Sequence, residues 1–481
     1  MPDQLINLTI DGTPVSVPPG TLVIEAAKQA GVLVPHYCYH PGLPVAGVCR
    51  MCLVEIEKAP KLQIACATTV TEGMVVKTQT APAKDARQGV LEFLLINHPL
   101  DCPICDQAGE CELQDFVFQE GQSGTRYAEF AKRFNPVEDF GPDVLYVPNR
   151  CILCTRCVRY MEDVAQEPVL NVSERGDRAF IGIHPDARLD HPWAGNVVDL
   201  CPVGSLLSKD FLHKARAWEL DKTASICTGC SQGCSISLDT RDEVVVRVRP
   251  RPNLEVNKYF ICDHGRMHYR WMNRGDRVEA PLVRRDGELK ATDWDEAFAK
   301  VLSIVRGASG KAVALVSPGA SNEALAAAKR LLSGFQWTGA FQVVMGEEAP
   351  LPGVPNLALR AERAPNAKGA ENLGYTRDYA GALEAAKSAA VVLVLDDSDC
   401  AVQTNGALIY VGTVLGAEAP CRSAEVVLPV TNVAEEEGTF TNRDGREQRY
   451  FQAKPAPGMA QPAAWILDQL VKAMGHAEAT R

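Results

Sequence analysis

No stretch of this 481-residue chain stays apolar for the roughly 20 residues that a membrane-crossing helix requires; a run such as AAVVLVL, at 389–395, stops after seven. The opening residues, MPDQLINLTIDG, show neither the basic segment nor the apolar core of a secretory signal, so the chain is expected to stay on the cytoplasmic side. Basic runs are missing too, and the formal net charge is −11, which argues against nucleic acid or an anionic membrane surface as a direct partner. No GxGxxG and no phosphate loop stands at a strand-to-helix junction, so NAD or flavin must be held elsewhere. The back half also lacks cysteine: fifteen of the seventeen lie at or before Cys262, and only Cys400 and Cys421 follow. In a reducing compartment, that many thiols point to metal or catalysis more than to disulfides.

What is present is an ordinary globular composition, 46% apolar and 23% charged, in a chain too long for one core. LINLTIDGTPVSVPPG reads as a hairpin turning at Asp11 and Gly12. A helix should follow, capped by Thr21, with Leu22, Ile24 and Ala27 on its apolar side and Gly31 at its end. A cysteine loop and a strand at Leu53–Ile56 complete a small ferredoxin-like β-grasp domain. DARQGVLEFLLIN, 85–97, has the spacing of a helix, through Val90, Leu91, Leu94 and Leu95. Residues 121–149 read as a loop-rich connector, and a helix is expected from Ser205 to about Trp218. After a cysteine cluster near Ser225 come two strands, SISL and VVVRV. Beyond about residue 280, helices alternate with the short buried strands AVALVS, FQVVM, AAVVLVL and AEVVLPV, the pattern of a parallel α/β sheet. Its first helix, in TDWDEAFAKVLSIV, carries a capping-box arrangement of Thr292 and Asp295.

The cysteines fall into four sets. Cys38, Cys49, Cys52 and Cys66 suit a [2Fe–2S] cluster in the ferredoxin-like domain, although the first gap, of ten residues, exceeds the plant-type spacing. Structural zinc is the other reading of four thiolates. CILCTRC places Cys151, Cys154 and Cys157 two residues apart each time, and Cys201, beside a proline in LCPVG, is the natural fourth ligand of a [4Fe–4S] cluster. Cys227, Cys230 and Cys234 in CTGCSQGC, with the distant Cys262, form a set for a further [4Fe–4S] or [3Fe–4S] centre. These twelve leave three of the fifteen, Cys102, Cys105 and Cys111 in HPLDCPICDQAGEC. That comb needs a non-cysteine ligand, a three-ligand cluster or a shared cysteine. His98, with three residues between it and Cys102, is the candidate fourth ligand.

The order HPLDCPICDQAGEC, RCILCTRCVR, DLCPVG and CTGCSQGC with Cys262 resembles the G subunit family of bacterial NADH-quinone oxidoreductase, the peripheral-arm iron–sulfur subunits of respiratory complex I. The resemblance implies that His98 ligates a [4Fe–4S] cluster with Cys102, Cys105 and Cys111. It also implies that FMN sits on a partner subunit which binds NADH, and that the clusters relay electrons toward quinone. The surroundings of the fourth set look like the iron–sulfur domain of molybdopterin oxidoreductases, but CDHGR puts His264 where those enzymes usually carry lysine. SNEALAAAKRLL and AEVVLPVTNVAEEEGTFTNRDGREQR extend that likeness, yet GAFQVVMGEEAPLPG lacks the expected metal-ligating cysteine. Gly438, Thr439 and Asn442 are therefore read as turn and packing residues in a shortened scaffold without molybdopterin.

The expected fold class is multidomain α+β and α/β. Its parts are a [2Fe–2S] ferredoxin-type domain at 1–80, a [4Fe–4S] module with one histidine and three cysteine ligands at 81–122 and a [4Fe–4S] ferredoxin-like module at 123–220. A molybdopterin-type [4Fe–4S] domain at 221–278 and a shortened molybdopterin oxidoreductase-like domain at 279–481 complete it. The expected protein is an electron-relay subunit that touches a membrane only through its complex. The rival readings are a subunit of an NAD-linked formate dehydrogenase or hydrogenase, and a zinc-filled scaffold.

Overall fold

A computed structural model describes residues 5–129, 132, 134–396, 402–415 and 420–478. Cys400 lies outside them, as does the side chain of Cys421. The chain divides into two compact units, one of Met1–Glu219 with Leu351–Pro355, the other of Leu220–Pro350 with Asn356–Arg481.

The first unit begins with the expected hairpin, Ile6–Ile10 against Thr13–Val17. Both turn residues have positive φ, Asp11 at 45° and Gly12 at 86°, the backbone that lets a two-residue turn follow the strand twist. The Asp11 carboxylate accepts hydrogen bonds from Thr78 N, at 2.6 Å, and from the Thr78 hydroxyl, which ties the turn to the end of the neighbouring strand. The resulting sheet runs in the order Thr13–Val17, Ile6–Ile10, Met74–Lys77, Leu53–Ile56, Gln63–Ile64, with one parallel pair. The helix Val23–Gln29 buries Val23, Ile24, Ala26 and Ala27. Thr21 does not cap it: the hydroxyl donates to Pro18 O at 2.7 Å, and Leu22 holds the cap position.

The next helix, Ala81–Asn97, starts a turn earlier than its apolar spacing suggests, because Pro82 has a preset φ and needs no hydrogen-bond acceptor in a first turn. It buries Leu91, with Val90 and Leu94 partly covered, whereas Leu95 is exposed. The helix Glu112–Glu120 follows. The connector contributes two strands, Glu138–Asp139 and Val144–Tyr146, to a three-stranded sheet. Its third strand, Leu206–Ser208, overturns the expected helix from Ser205 to Trp218. Leu206 and Leu207 are buried against Tyr146 and Leu145 in the ladder, and His213 has a φ of 62°, which a right-handed helix excludes. Only the single 3-10 turn Ala217–Glu219 remains.

The second unit opens with an antiparallel sheet of Asp221–Ile226, Ser235–Arg241 and Val244–Pro250, and its first loop carries three of the fourth-set cysteines. A seven-stranded sheet follows, in the order Glu288–Ala291, Leu282–Arg285, Val426–Pro429, Ala407–Gly412, Val391–Leu395, Lys311–Val316, Gln336–Ala340. The last five strands are parallel and the first two form an antiparallel edge. FQVVM is not a strand: Val344 and Met345 are 73% and 65% exposed, and the preceding QWTGA pairs with Lys311–Leu315 instead. The helix Trp294–Gly307 is capped by Asp293, which accepts from Glu296 N at 2.8 Å, so the capping residue lies one position beyond Thr292. Asn322 Nδ2 donates to the hydroxyls of Thr439 and Thr441, both at 3.0 Å, and Asn442 Oδ1 accepts from Asp444 N and Arg446 N.

A buried ion pair closes this unit. Arg277 donates from Nη1 and Nη2 to the two oxygens of Glu435 at 2.7 and 2.9 Å, and also to the carbonyls of Val430 and Thr413. Both side chains are at most 3% exposed, so removing one partner strands a charge in a dry interior. Arg277→Ala is expected to cost about 3–5 kcal/mol in chemical denaturation, whereas Lys387→Ala, at an exposed pair, leaves the midpoint where it was.

Candidate metal centres

In the first set, Cys38 lies within side-chain hydrogen-bond reach of Cys49 and Cys66, and Cys52 within reach of Cys66. Those bonds hold the Cys38 and Cys52 thiols below their ordinary range and push Cys49 and Cys66 above it. Three of the four are buried. The geometry therefore gathers thiols that share protons when nothing else neutralises them.

Cys151, Cys154, Cys157 and Cys201 line one small cavity, with Tyr146 and Ser205 on its wall. The loop between them is shaped by two residues with left-handed φ, Leu153 at 54° and Thr155 at 59°. Such angles are unusual for leucine and more so for β-branched threonine, and persist only where the surrounding structure requires them. Here they wrap the 151–157 loop so that Cys151, Cys154 and Cys157 line the same cavity as Cys201. Leu153 N–H points at Cys151 Sγ, 3.4 Å away, and Tyr146 and Ser205 line the cavity beside the same residue. Burial pushes Cys151 and Cys201 up to about 11, Cys154 up to about 12 and Cys157 well above the thiol range. A thiolate at these positions needs a positive centre beside it.

The fourth set is as dry. Cys227, Cys230, Cys234 and Cys262 are all buried, and burial pushes Cys227 up to about 12 and raises Cys234 and Cys262 well above the ordinary range. Gly229 N–H and Gly265 N–H point at Cys227 Sγ and Cys262 Sγ, 3.4 and 3.3 Å away. His264 stacks on His268 at 5.3 Å, and burial lowers both imidazoles, His268 to about 4.

In the second set, Cys102 is exposed while Cys105 and Cys111 are buried. His98 directly follows the helix Ala81–Asn97 as its C-terminal cap residue. Its Nδ1 is buried and has no hydrogen-bond partner among the described residues. Burial, with Lys132 and Arg150 nearby, pushes the ring down to about 4, so it is neutral and keeps a lone pair for a ligand at neutral pH. Arg150, itself buried, faces both His98 and Cys105 and pairs with Asp101 at 3.0 Å, next to Cys102. Arg150 and Asp101 thus link the imidazole to the sulfur side of the set.

Among the described residues, no three His, Cys, Asp or Glu side chains converge as the ligands of a single ion. The dry thiols, the inward N–H groups and the unpaired His98 nitrogen fit iron–sulfur clusters.

A larger cavity in the second unit lies where Ser317, Asp396 and Val430 follow the parallel strands, and His268, Trp271 and Glu436 also line it. No cysteine is among its described lining residues.

Matches to known domain families follow the same divisions. Residues 3–81 match a 2Fe-2S iron-sulfur cluster binding domain, 87–126 the NADH-ubiquinone oxidoreductase-G iron-sulfur binding region, and 141–207 the ferredoxin-like domain of NADH-quinone oxidoreductase subunit 3. Residues 220–274 match a molybdopterin oxidoreductase Fe4S4 domain, and 277–346 with 355–473 match molybdopterin oxidoreductase. Together they define a modular iron–sulfur protein with a molybdopterin oxidoreductase-type domain behind it. The NADH-quinone oxidoreductase G subunit of Rickettsia bellii is 44% identical over 302 residues, 63% of this chain and 44% of that protein. The mitochondrial NADH-ubiquinone oxidoreductase 78 kDa subunit of Neurospora crassa is 47% identical over 297 residues, 62% of this chain and 40% of that one. The NADH dehydrogenase [ubiquinone] iron-sulfur protein 1 of Solanum tuberosum is 45% identical over 305 residues, 63% of this chain and 41% of its own. The chain is thus similar to NADH-quinone oxidoreductase G subunits and their mitochondrial counterparts, and it spans less than half the length of these relatives.

Several residues at the sites have no signal in the motifs. Arg150, Arg156 and Arg159 stand inside the cysteine runs but carry no metal-ligand chemistry that would single them out. Gly204, in LCPVG, is placed so that a Cβ there would lie 2.2 Å from Cys105 Sγ and 3.1 Å from Gln107 Cβ. Gly204→Ala is therefore expected to displace Cys105 and remove one [4Fe–4S] signal from the EPR spectrum. About four iron atoms go with it, and the other signals stay.

Proposed function

We propose that this chain is an iron–sulfur electron-relay subunit of an NADH-quinone oxidoreductase, taking electrons from a flavin-bearing partner that binds NADH and passing them toward quinone. The observation that carries the proposal is the cavity lined by Cys151, Cys154, Cys157 and Cys201, beside three further sets of mostly buried cysteines, in a chain similar to NADH-quinone oxidoreductase G subunits. Cys38, Cys49, Cys52 and Cys66 would hold a [2Fe–2S] cluster. His98 with Cys102, Cys105 and Cys111, then Cys151, Cys154, Cys157 and Cys201, then Cys227, Cys230, Cys234 and Cys262 would each hold a [4Fe–4S] cluster. Bound clusters supply one-electron carriers, and a flavin, which this sequence has no motif for, is needed to split the electron pair of NADH.

The chain's own residues exclude water from the sulfurs, fix their separation and set the local charge. Arg159 Nη2 donates to the carbonyls of Cys38, at 2.5 Å, and of Cys154, at 3.3 Å, so one guanidinium ties the first set to the third. Arg156 holds Glu112 through two bonds, at 3.0 and 3.1 Å, and reaches the carbonyls of Tyr39 and Leu200. Among the described residues no helix is long and apolar enough to cross a membrane, so membrane contact is assigned to the partners of the complex.

Two measurements test this reading. Anaerobically purified protein should be brown and hold about fourteen iron atoms without stoichiometric zinc; a colourless zinc protein would sink the relay. His98→Cys should keep its cluster but lower the midpoint, because thiolate adds a negative charge where imidazole adds none. An upward shift, or loss of that cluster, in an EPR redox titration would remove His98 from the ligand set.

A further inference from the structure

We infer that the Tyr37 hydroxyl donates a hydrogen bond to a sulfur of the cluster held by the Cys111 set and so raises the reduction potential of that cluster. The inference rests on the cluster reading proposed above.

Tyr37 is wholly buried, and its ring meets Phe116 edge-on with 5.5 Å between centroids. Met51, Leu91 and Leu113 belong to the same apolar cluster, together with the sulfurs of Cys38, Cys111 and Cys154. The hydroxyl has no hydrogen-bond partner among the described residues. A tyrosine in such a place ordinarily finds one, because a dry, unpaired hydroxyl forfeits its bonds to water. A phenylalanine would fill the same space without that loss.

The ionisable groups that face the hydroxyl are Cys111, Glu112, Cys49 and Asp115. Glu112 is committed to Arg156 through both of its oxygens. Asp115 is exposed, so the buried acceptors that remain close to the ring are sulfurs, and the seat of the ring on Phe116, in the helix that begins right after Cys111, favours the Cys111 set over Cys49. In the third set a second tyrosine, Tyr146, likewise lines the cavity that Cys151 borders. Reduction adds an electron and no proton to the cluster. A donor bond is stronger to the more negative state, so it favours reduction.

The test is Tyr37→Phe in the full chain with its clusters assembled, followed by EPR redox titration. Iron content should hold, the midpoint of the His98 and Cys111 cluster should shift downward, and the other midpoints should stay. An exchangeable-proton coupling seen by ENDOR on that reduced cluster should disappear in the variant. Incorporating 3-fluorotyrosine at position 37, a stronger donor, should move the same midpoint upward and keeps the test open if the phenylalanine variant fails to assemble. An unmoved midpoint at full iron content overturns the inference, and so does a shift confined to the [2Fe–2S] signal. A colourless wild-type protein would instead strike at the cluster reading itself.

Discussion

Sulfur in a dry interior is the constraint on which the structure depends. Nearly every cysteine of the four sets is buried or partly so, and burial pushes the thiols of Cys154, Cys157, Cys234 and Cys262 far above the range in which they ionise. Such positions are costly for a thiolate unless a positive centre lies within the set. The polypeptide contributes what it can from outside: N–H groups aimed at Cys151, Cys227 and Cys262, and the guanidinium of Arg150 beside Cys105. Each of these stabilises negative charge on sulfur.

Backbone conformation makes the convergence possible. Leu153 and Thr155 sit in left-handed backbone so that one short loop can turn three sulfurs toward one cavity. Gly204 leaves room for Cys105, and Gly265 does the same for Cys227, whose sulfur would lie 2.9 Å from a Cβ there. The arginines then fix the spacing between sets. Arg159 binds a carbonyl from each of two sets, a tie that would fix the separation on which the proposed one-electron transfer between them depends.

Much of the fold is legible because local rules and tertiary packing agree. The Asp11-Gly12 hairpin, the strand Leu53–Ile56 and the buried strand Val391–Leu395 follow from turn chemistry and apolar runs alone. Sequence and structure part where two readings are locally plausible. Leu206 and Leu207 suit a helix face or a strand, and only pairing with Tyr146 and Leu145 decides between them. FQVVM looks more strand-like than QWTGA, but the place beside Lys311–Val316 is taken by QWTGA, with Gly339 and Ala340 at the buried end of the strand. The strand Ala407–Gly412, between two strands of the same sheet, carries an apolar run, LIYV, that the sequence reading above did not single out.

By itself the sequence determined the number of ligand sets, their order and the shortage of one cysteine in the second, because spacing and counting are properties of the chain. It could not show that His98 is neutral and unpaired, that Arg159 joins the first and third sets, or that the Tyr37 hydroxyl lies among sulfurs without an acceptor of its own. Those facts depend on desolvation and on contacts between residues more than a hundred positions apart in the case of Arg159, or more than seventy for Tyr37 and Cys111. Burial has no local signature in a sequence, so the charge state of each ligand was decided only when the chain closed around it.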